Sequence, residues 1–556
     1  MSRAPGERAQ RPTGREGSST SRVRLRARLD WTLRSRSARL ALAALAALAA
    51  AVLVFGLMTE GKRATPHRGA GAVATASAPA LSPAPVPAPA RTRAKRPNIV
   101  FVLTDDLSLD LLRYMPQVQA LQAQGLTFGN YFVTDSLCCP SRSSIFTGNF
   151  PHDTGVFNNV GTHGGFHVFY TRGEEQDTFA VALQDAGYRT ALMGKYLNGY
   201  MEPPSAAYPP VAPPSYVPPG WSEWDVAGDG YPEFGYQLNE NGALRSYGDQ
   251  PADYLTDVIA RKGVDFIDRS AAAGKPFFLE LATFAPHGPY VPAPRDANAF
   301  PGLTAPRPPS FDVLPSNPPG WLRGHQPLSP EQVAHIDTAF RLRAQSVQAV
   351  DAMIAEVERA LAANHISRST YIVFSSDNGL HTGEYRLTPG KLTAFDTDIH
   401  VPLVVAGPGV PAGTTSDRMA SNIDLAKTFS AIGRTTRPGD GHSLLGLLHG
   451  KAREHWRNAI LVEHNGPDLR GVDPDYQQPS SGSPRTYAAM RTHSFLYVQY
   501  NDGELEYYDL LSDPFELHNL APTLAPSRLL ELHSELARMK HCHNGRTCWA
   551  AMHVPP

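Results

Sequence analysis

Apolar residues recur along this chain in two patterns. NIVFVL at 98–103, PFFLELATF at 276–284, TYIVFSS at 370–376 and HVPLVVAG at 400–407 are short, nearly unbroken apolar runs. Their length and content predict strands buried on both faces of a parallel sheet. Between them, helical periodicity covers 177–187, 252–268 and, longest, 330–364. Strands alternating with helices predict an α/β fold over 97–436, a doubly wound, mainly parallel sheet flanked by helices. The Pro-rich stretches 203–219 and 286–320 predict surface excursions. From 437 the pattern changes: RTYAAMRTHSFLYVQY and ELEYYDL alternate polar and apolar positions, and 524–540 is amphipathic. Residues 437–556 are therefore expected to form a smaller antiparallel-sheet-plus-helix domain.

Ahead of the body the pattern is different again. Residues 1–39 carry 11 Arg and 3 acidic side chains, and 40–58 (LALAALAALAAAVLVFGLM) are uncharged. Nineteen apolar residues lie in the range needed to cross a bilayer, and the arginine flank orients the body to the outside. Residues 59–96, rich in Ala and Pro, read as a tether. The expected location is the cell membrane, a single pass with the body outside, or the extracellular medium if the stretch at 70–78 is cleaved. Charge supports this division. The chain has 51 basic and 52 acidic side chains, but 18 basic and 4 acidic lie in 1–96, leaving 33 and 48 for 97–556, a net of −15. A body so acidic is a poor match for nucleic-acid phosphates. Four cysteines are too few for a disulfide scaffold.

Ligands in open parallel sheets bind beyond the carboxyl ends of the strands. There the chain places Asp105-Asp106, His287 and Asp377-Asn378-Gly379. Three carboxylates and an amide make an all-oxygen donor set, which suits Ca2+ or, less readily, Mg2+. Each pair alone is equally an ordinary cap or turn.

The segment Cys138-Cys139-Pro140-Ser141-Arg142, followed by Thr147-Gly148, resembles the C-x-P-S-R…T-G motif of the sulfatase family. The other stations follow in order: Gly194-Lys195, Pro286-His287, Ser376-Asp377-Asn378-Gly379, Lys391, Val401-Pro402 and Tyr508-Asp509-Leu510. The resemblance implies that Cys138 is converted to formylglycine by a formylglycine-generating enzyme. A hydroxyl of the aldehyde hydrate would then attack a sulfate monoester, and the second would later expel sulfate. It further implies that Asp105, Asp106, Asp377, Asn378 and position 138 hold the metal, and that Arg142 steadies the nucleophile. Lys195 and Lys391 would clamp sulfate oxygens, and His287 would bind sulfate or protonate the leaving alcohol. Where many members read Gly-Lys-Trp-His, this chain reads Gly194-Lys195-Tyr196-Leu197-Asn198, so the usual base is missing.

That wording, with the Cys-Cys pair and Pro151-His152, resembles the branch containing N-acetylglucosamine-6-sulfatases and extracellular endosulfatases. The branch suggests His381 or His152 in the pocket, a sulfated small molecule or glycan as substrate, and a Cys542–Cys548 pair. In an exported protein, two cysteines six positions apart around His543-Asn544-Gly545 suit a small disulfide loop, with metal ligation through His541 or His543 as the alternative. A phosphonate or phosphate ester hydrolase sharing the same machinery is the nearest rival. A non-catalytic surface protein binding anionic glycans is the more distant one.

Overall fold

Three of the four apolar runs, joined by Arg189–Lys195, which the apolar pattern did not single out, become the centre of one sheet because each is buried on both faces. In a computed structural model, residues 95–555 are described, apart from 204, 206–209, 452–454 and 467–475. The leader at 1–39, the segment at 40–58 and the tether up to 94 lie outside the described residues. Among the described residues no helix is long and apolar enough to cross a membrane.

The central strands are β1 (Asn98–Thr104), β2 (Arg189–Lys195), β3 (Phe277–Ala282) and β4 (Thr370–Ser376). They lie side by side in the order β4-β1-β3-β2, all parallel. Leu126–Phe128, Leu403–Ala406 and Thr414–Ser416 extend the sheet beyond β4, and Glu223–Ala227, Gln237–Glu240 and Ala243–Ser246 extend it beyond β2. Leu403–Ala406, expected as one more parallel strand, runs antiparallel to β4. The apolar run specified burial, not direction.

Both faces are covered. Val100, Val102, Leu279 and Leu281 pack with Ile259 and Phe266 of helix Leu255–Ala272 and with Phe340, Val347 and Met353 of the long helix Pro330–Ala363. Ile99, Phe101 and Phe278 face Ile145, Phe146, Phe179 and Phe429. Each such large side chain contributes roughly 1.5–3 kcal/mol by burial. The long helix starts where Ser329 and Gln332 cap each other's backbone N–H, with Pro330 at its first position.

The C-terminal region is a four-stranded antiparallel sheet of Ala459–His464, Tyr487–Thr492, Phe495–Tyr500 and Leu505–Asp509. Leu461, Met490 and Tyr497 pack there with Leu532, Leu536 and Met539 of helix Pro526–Lys540. Cys542 and Cys548 are disulfide-bonded directly after that helix. Arg491 reaches from this sheet to hold Asp396 through two 2.7 Å bonds.

One residue breaks the apolar rule of the central sheet. Glu280 of β3 is fully buried, and neither carboxylate oxygen has a hydrogen-bond partner. Burial pushes its carboxyl up to about 8, although Arg142 pulls the other way. The fold thus keeps a proton that the unfolded chain releases from the ordinary carboxyl range upward, and stability falls as pH rises across that interval. Glu280→Gln removes this loss. Its gain in unfolding free energy over wild type should grow by ~3 kcal/mol between about pH 6 and about pH 8, measured by urea denaturation. A gain independent of pH would show that this carboxyl does not titrate with folding.

Candidate active site

The register of the central strands brings their carboxyl ends level. Leu103 pairs with Ala282, Thr104 with Ser376, and Gly194 with Ala282. The residues that follow therefore meet at one place: Asp105-Asp106 after β1, Lys195 at the end of β2, His287 beyond β3 and Asp377-Asn378 after β4. The close approach of β2 to β3 requires glycine at 194, which has φ +107° and where an added Cβ would lie 1.9 Å from the carbonyl oxygen of Ala282. Asp106 adopts φ +61°, a left-handed conformation costly for a residue with a Cβ and common at functional sites.

The fifth contributor is helix α1 (Cys138–Thr147), all ten of whose residues are buried. Pro140 lies in its first turn, where a missing N–H costs nothing, and Gly148 at φ +72° ends it by donating to the carbonyl of Ser144. Cys138 opens the helix, at the positive end of its dipole. Arg142, one turn later, points the same way. Its Nε donates to Asp377 Oδ2 at 2.7 Å, and its Nη2 lies 3.8 Å from Asp105 Oδ1.

Around the Cys138 sulfur, Lys391 Nζ is 3.0 Å away and Asp105 Oδ1 3.3 Å. Lys391 also donates to Asp106 Oδ1 at 2.8 Å, and Lys195 pairs with Asp105. His287 Nε2 is 3.5 Å from Asp106 Oδ2, while its Nδ1 donates to the carbonyl of Gly288 at 2.7 Å. Three carboxylates thus face three side-chain cations, all buried. Burial alone would raise the Asp377 carboxyl, but Arg142, Lys195 and Lys391 hold it below the usual carboxylate range.

The donor set fits a hard cation. Asn378 uses its amide nitrogen on Asp106 Oδ1 at 2.6 Å and on the carbonyl of Gly379 at 2.9 Å, yet its buried Oδ1 has no hydrogen-bond partner. A buried amide oxygen left bare costs roughly 1–3 kcal/mol, and a metal ion beside Asp106 would satisfy it. One donor atom each of Asp105, Asp106, Cys138 and His287 lies within 4.8 Å of all the others.

Two expected pocket residues are elsewhere. His381 is buried with Nδ1 on the Asp398 carboxylate at 2.9 Å and Nε2 on the carbonyl of Ser481 at 3.0 Å. His152 has Nδ1 on Glu463 at 2.7 Å and Nε2 on the carbonyl of Cys542 at 2.8 Å. With both ring nitrogens committed to such partners, these histidines brace the scaffold and are not part of the pocket. The missing family histidine has no direct substitute: Leu197, in its place, is buried in the apolar core. Cys139 is turned away from the site and accepts from the backbone N–H of Asn198 at 3.0 Å.

Three residues that the sequence reading did not select complete the surroundings. The Tyr231 ring lies 4.8 Å from Lys195 Nζ and 4.5 Å from the His287 ring, and Phe284 lies 5.8 Å from the same ammonium. Arg343 Nη2 donates to the carbonyl of Asp106 at 2.6 Å. Arg343 left a readable signal, a charge between Phe340 and Val347 on the apolar stripe of the long helix. Tyr231 left none.

Comparison with known proteins agrees with this geometry. A family model described as Sulfatase matches residues 97–433, and one described as N-sulphoglucosamine sulphohydrolase, C-terminal, matches 383–541. The N-acetylglucosamine-6-sulfatase of Capra hircus is 35% identical over 485 residues, 82% of this chain and 85% of its own. The solved structure of BT4656 in complex with its substrate D-glucosamine-2-N,6-O-disulfate superposes with a TM-score of 0.66 at 23% identity, over 80% of this chain and 98% of that one. The phosphonate monoester hydrolase of Agrobacterium radiobacter gives a TM-score of 0.55 at 20% identity, over 79% of this chain and 96% of that one. At such identities these two likenesses establish the fold. The match of both portions of the chain, together with the identity to an N-acetylglucosamine-6-sulfatase over most of both lengths, means that this protein belongs to the sulfatase family of sulfuric ester hydrolases.

Proposed function

We propose that this sulfatase removes O-sulfate from glucosamine-containing glycans, with position 138 as its nucleophile. The observation that carries the reading is the setting of Cys138, at the start of a buried helix with Lys391 Nζ 3.0 Å and Asp105 Oδ1 3.3 Å from its sulfur. Similarity to the N-acetylglucosamine-6-sulfatase supports the glycan class. Formylglycine made from Cys138 would supply a hydrated aldehyde able both to attack sulfur and to release sulfate afterwards. Because Cys138 is fully buried, a formylglycine-generating enzyme must reach it before the chain folds. A divalent cation held by Asp105, Asp106, Asp377 and Asn378, Ca2+ before Mg2+ on this all-oxygen set, would supply Lewis-acid charge at a sulfate oxygen.

The chain's own groups do the rest. Lys391 and the helix dipole favour negative charge on the atom at 138. Arg142, locked by Asp377, fixes the orientation of that atom, and Lys195 turns its ammonium toward the sulfate oxygens. His287 donates Nδ1–H to the carbonyl of Gly288, which leaves Nε2, 3.5 Å from Asp106, as the ring atom that can pass a proton to the departing alcohol. Tyr231, half-buried with Phe284 packed behind it, offers a ring against which a sugar can stack. From the arginine flank and the apolar segment at 40–58 we infer an anchored body outside the membrane, or a secreted one after cleavage.

Mass spectrometry of the peptide spanning 138–142 from the native host should find the aldehyde or its hydrate, and an intact thiol would remove the mechanism. Asp377→Ala should lose the bound metal and nearly all turnover. Lys391→Ala should lower kcat about 100-fold or more and, by leaving Asp106 without its buried partner, lower Tm as well, whereas His381→Gln should lower Tm by several degrees and leave kcat of the folded enzyme within a few-fold. Assays of an aryl sulfate beside an aryl phosphonate monoester should show faster sulfate cleavage. The reverse preference would favour the phosphonate hydrolase reading.

A further inference from the structure

We propose that His152, Asp153 and His543 form a second metal site, remote from the nucleophile, for a divalent transition-metal ion of the zinc class. One ligand atom of each lies within 4.8 Å of the others. His543 Nδ1 is 2.5 Å from Asp153 Oδ1, and His152 Nε2 is 4.0 Å from Asp153 Oδ2. Two imidazoles and a carboxylate are a zinc donor set, softer than the oxygens of the catalytic centre.

A second observation points the same way. The remaining nitrogen of His152, Nδ1, faces the Glu463 carboxylate at 2.7 Å. A ligating histidine is ordinarily held by such a carboxylate on its other nitrogen, and an ion bound at Nε2 would replace the proton that this nitrogen now donates to the carbonyl of Cys542. Asp440, held by the N–H groups of Phe150 and Asn544, crowds Asp153.

The site joins distant parts of the chain. His152 and Asp153 follow closely on α1, whereas His543 lies in the loop closed by the Cys542–Cys548 disulfide. An ion here would fasten that loop to the segment behind the catalytic helix. This role is structural and does not rest on the proposed substrate.

The test uses the full chain, saturated with Ca2+ and kept non-reducing, in equilibrium dialysis against Zn2+. Wild type should retain one more equivalent than His543→Ala or Asp153→Asn, and Asp377→Ala should retain that equivalent too. Zn2+ should raise the Tm of wild type by a few degrees and leave that of His543→Ala unchanged. His543 is exposed, so its replacement leaves the fold intact. Zn2+ retention or a Tm rise equal in wild type and His543→Ala would overturn the proposal, as would the absence of both.

Discussion

Six buried charges at the ends of four parallel strands set the terms for this molecule. Asp105, Asp106 and Asp377 face Arg142, Lys195 and Lys391 with almost no solvent between them and the core. Each such charge costs several kcal/mol to desolvate, and attraction offsets that cost only where the geometry is good. The level register of β1 to β4 provides the geometry, and the apolar layers on both faces stabilise the strands that carry it. A divalent cation among the carboxylates would leave the cluster with a positive excess, the condition under which a sulfate ester binds an otherwise acidic body.

The scaffold is stiff where the chemistry needs it. All of α1 is buried, so the atom at 138 and the guanidinium at 142 cannot drift apart. Polar contacts from the C-terminal region continue the bracing. Arg491 grips Asp396, and Glu516 accepts from Tyr385 at 2.8 Å. His381, fixed between Asp398 and Ser481, belongs to the same bracing. These groups touch no reacting atom, yet they hold the loops that carry Lys391 and Asn378.

Much of the fold was legible because burial on two faces demands runs of apolar residues. The strands at 98, 277 and 370 and the helix starting at 330 begin within a residue of their expected positions. The direction of Leu403–Ala406 was not legible, because an apolar run reads alike in either sense. The catalytic positions were legible as strand-end polar residues and through the Cys138–Arg142 wording. His152 and His381 misled because an imidazole in a family-like phrase looks alike in sequence whether its nitrogens face a substrate or a carboxylate.

By itself the sequence determined the fold class, the order of the strand-end residues, the charge division between leader and body, and the candidate nucleophile. These properties depend on local pattern and residue chemistry. Only the tertiary structure decided which polar groups share a site. It took Lys391 to within 3.0 Å of Cys138, across 253 positions of chain, and left Asn378 Oδ1 bare beside Asp106. It also brought His543 against Asp153. Contacts of this kind depend on strand register and loop path, and both are set by packing of the whole core.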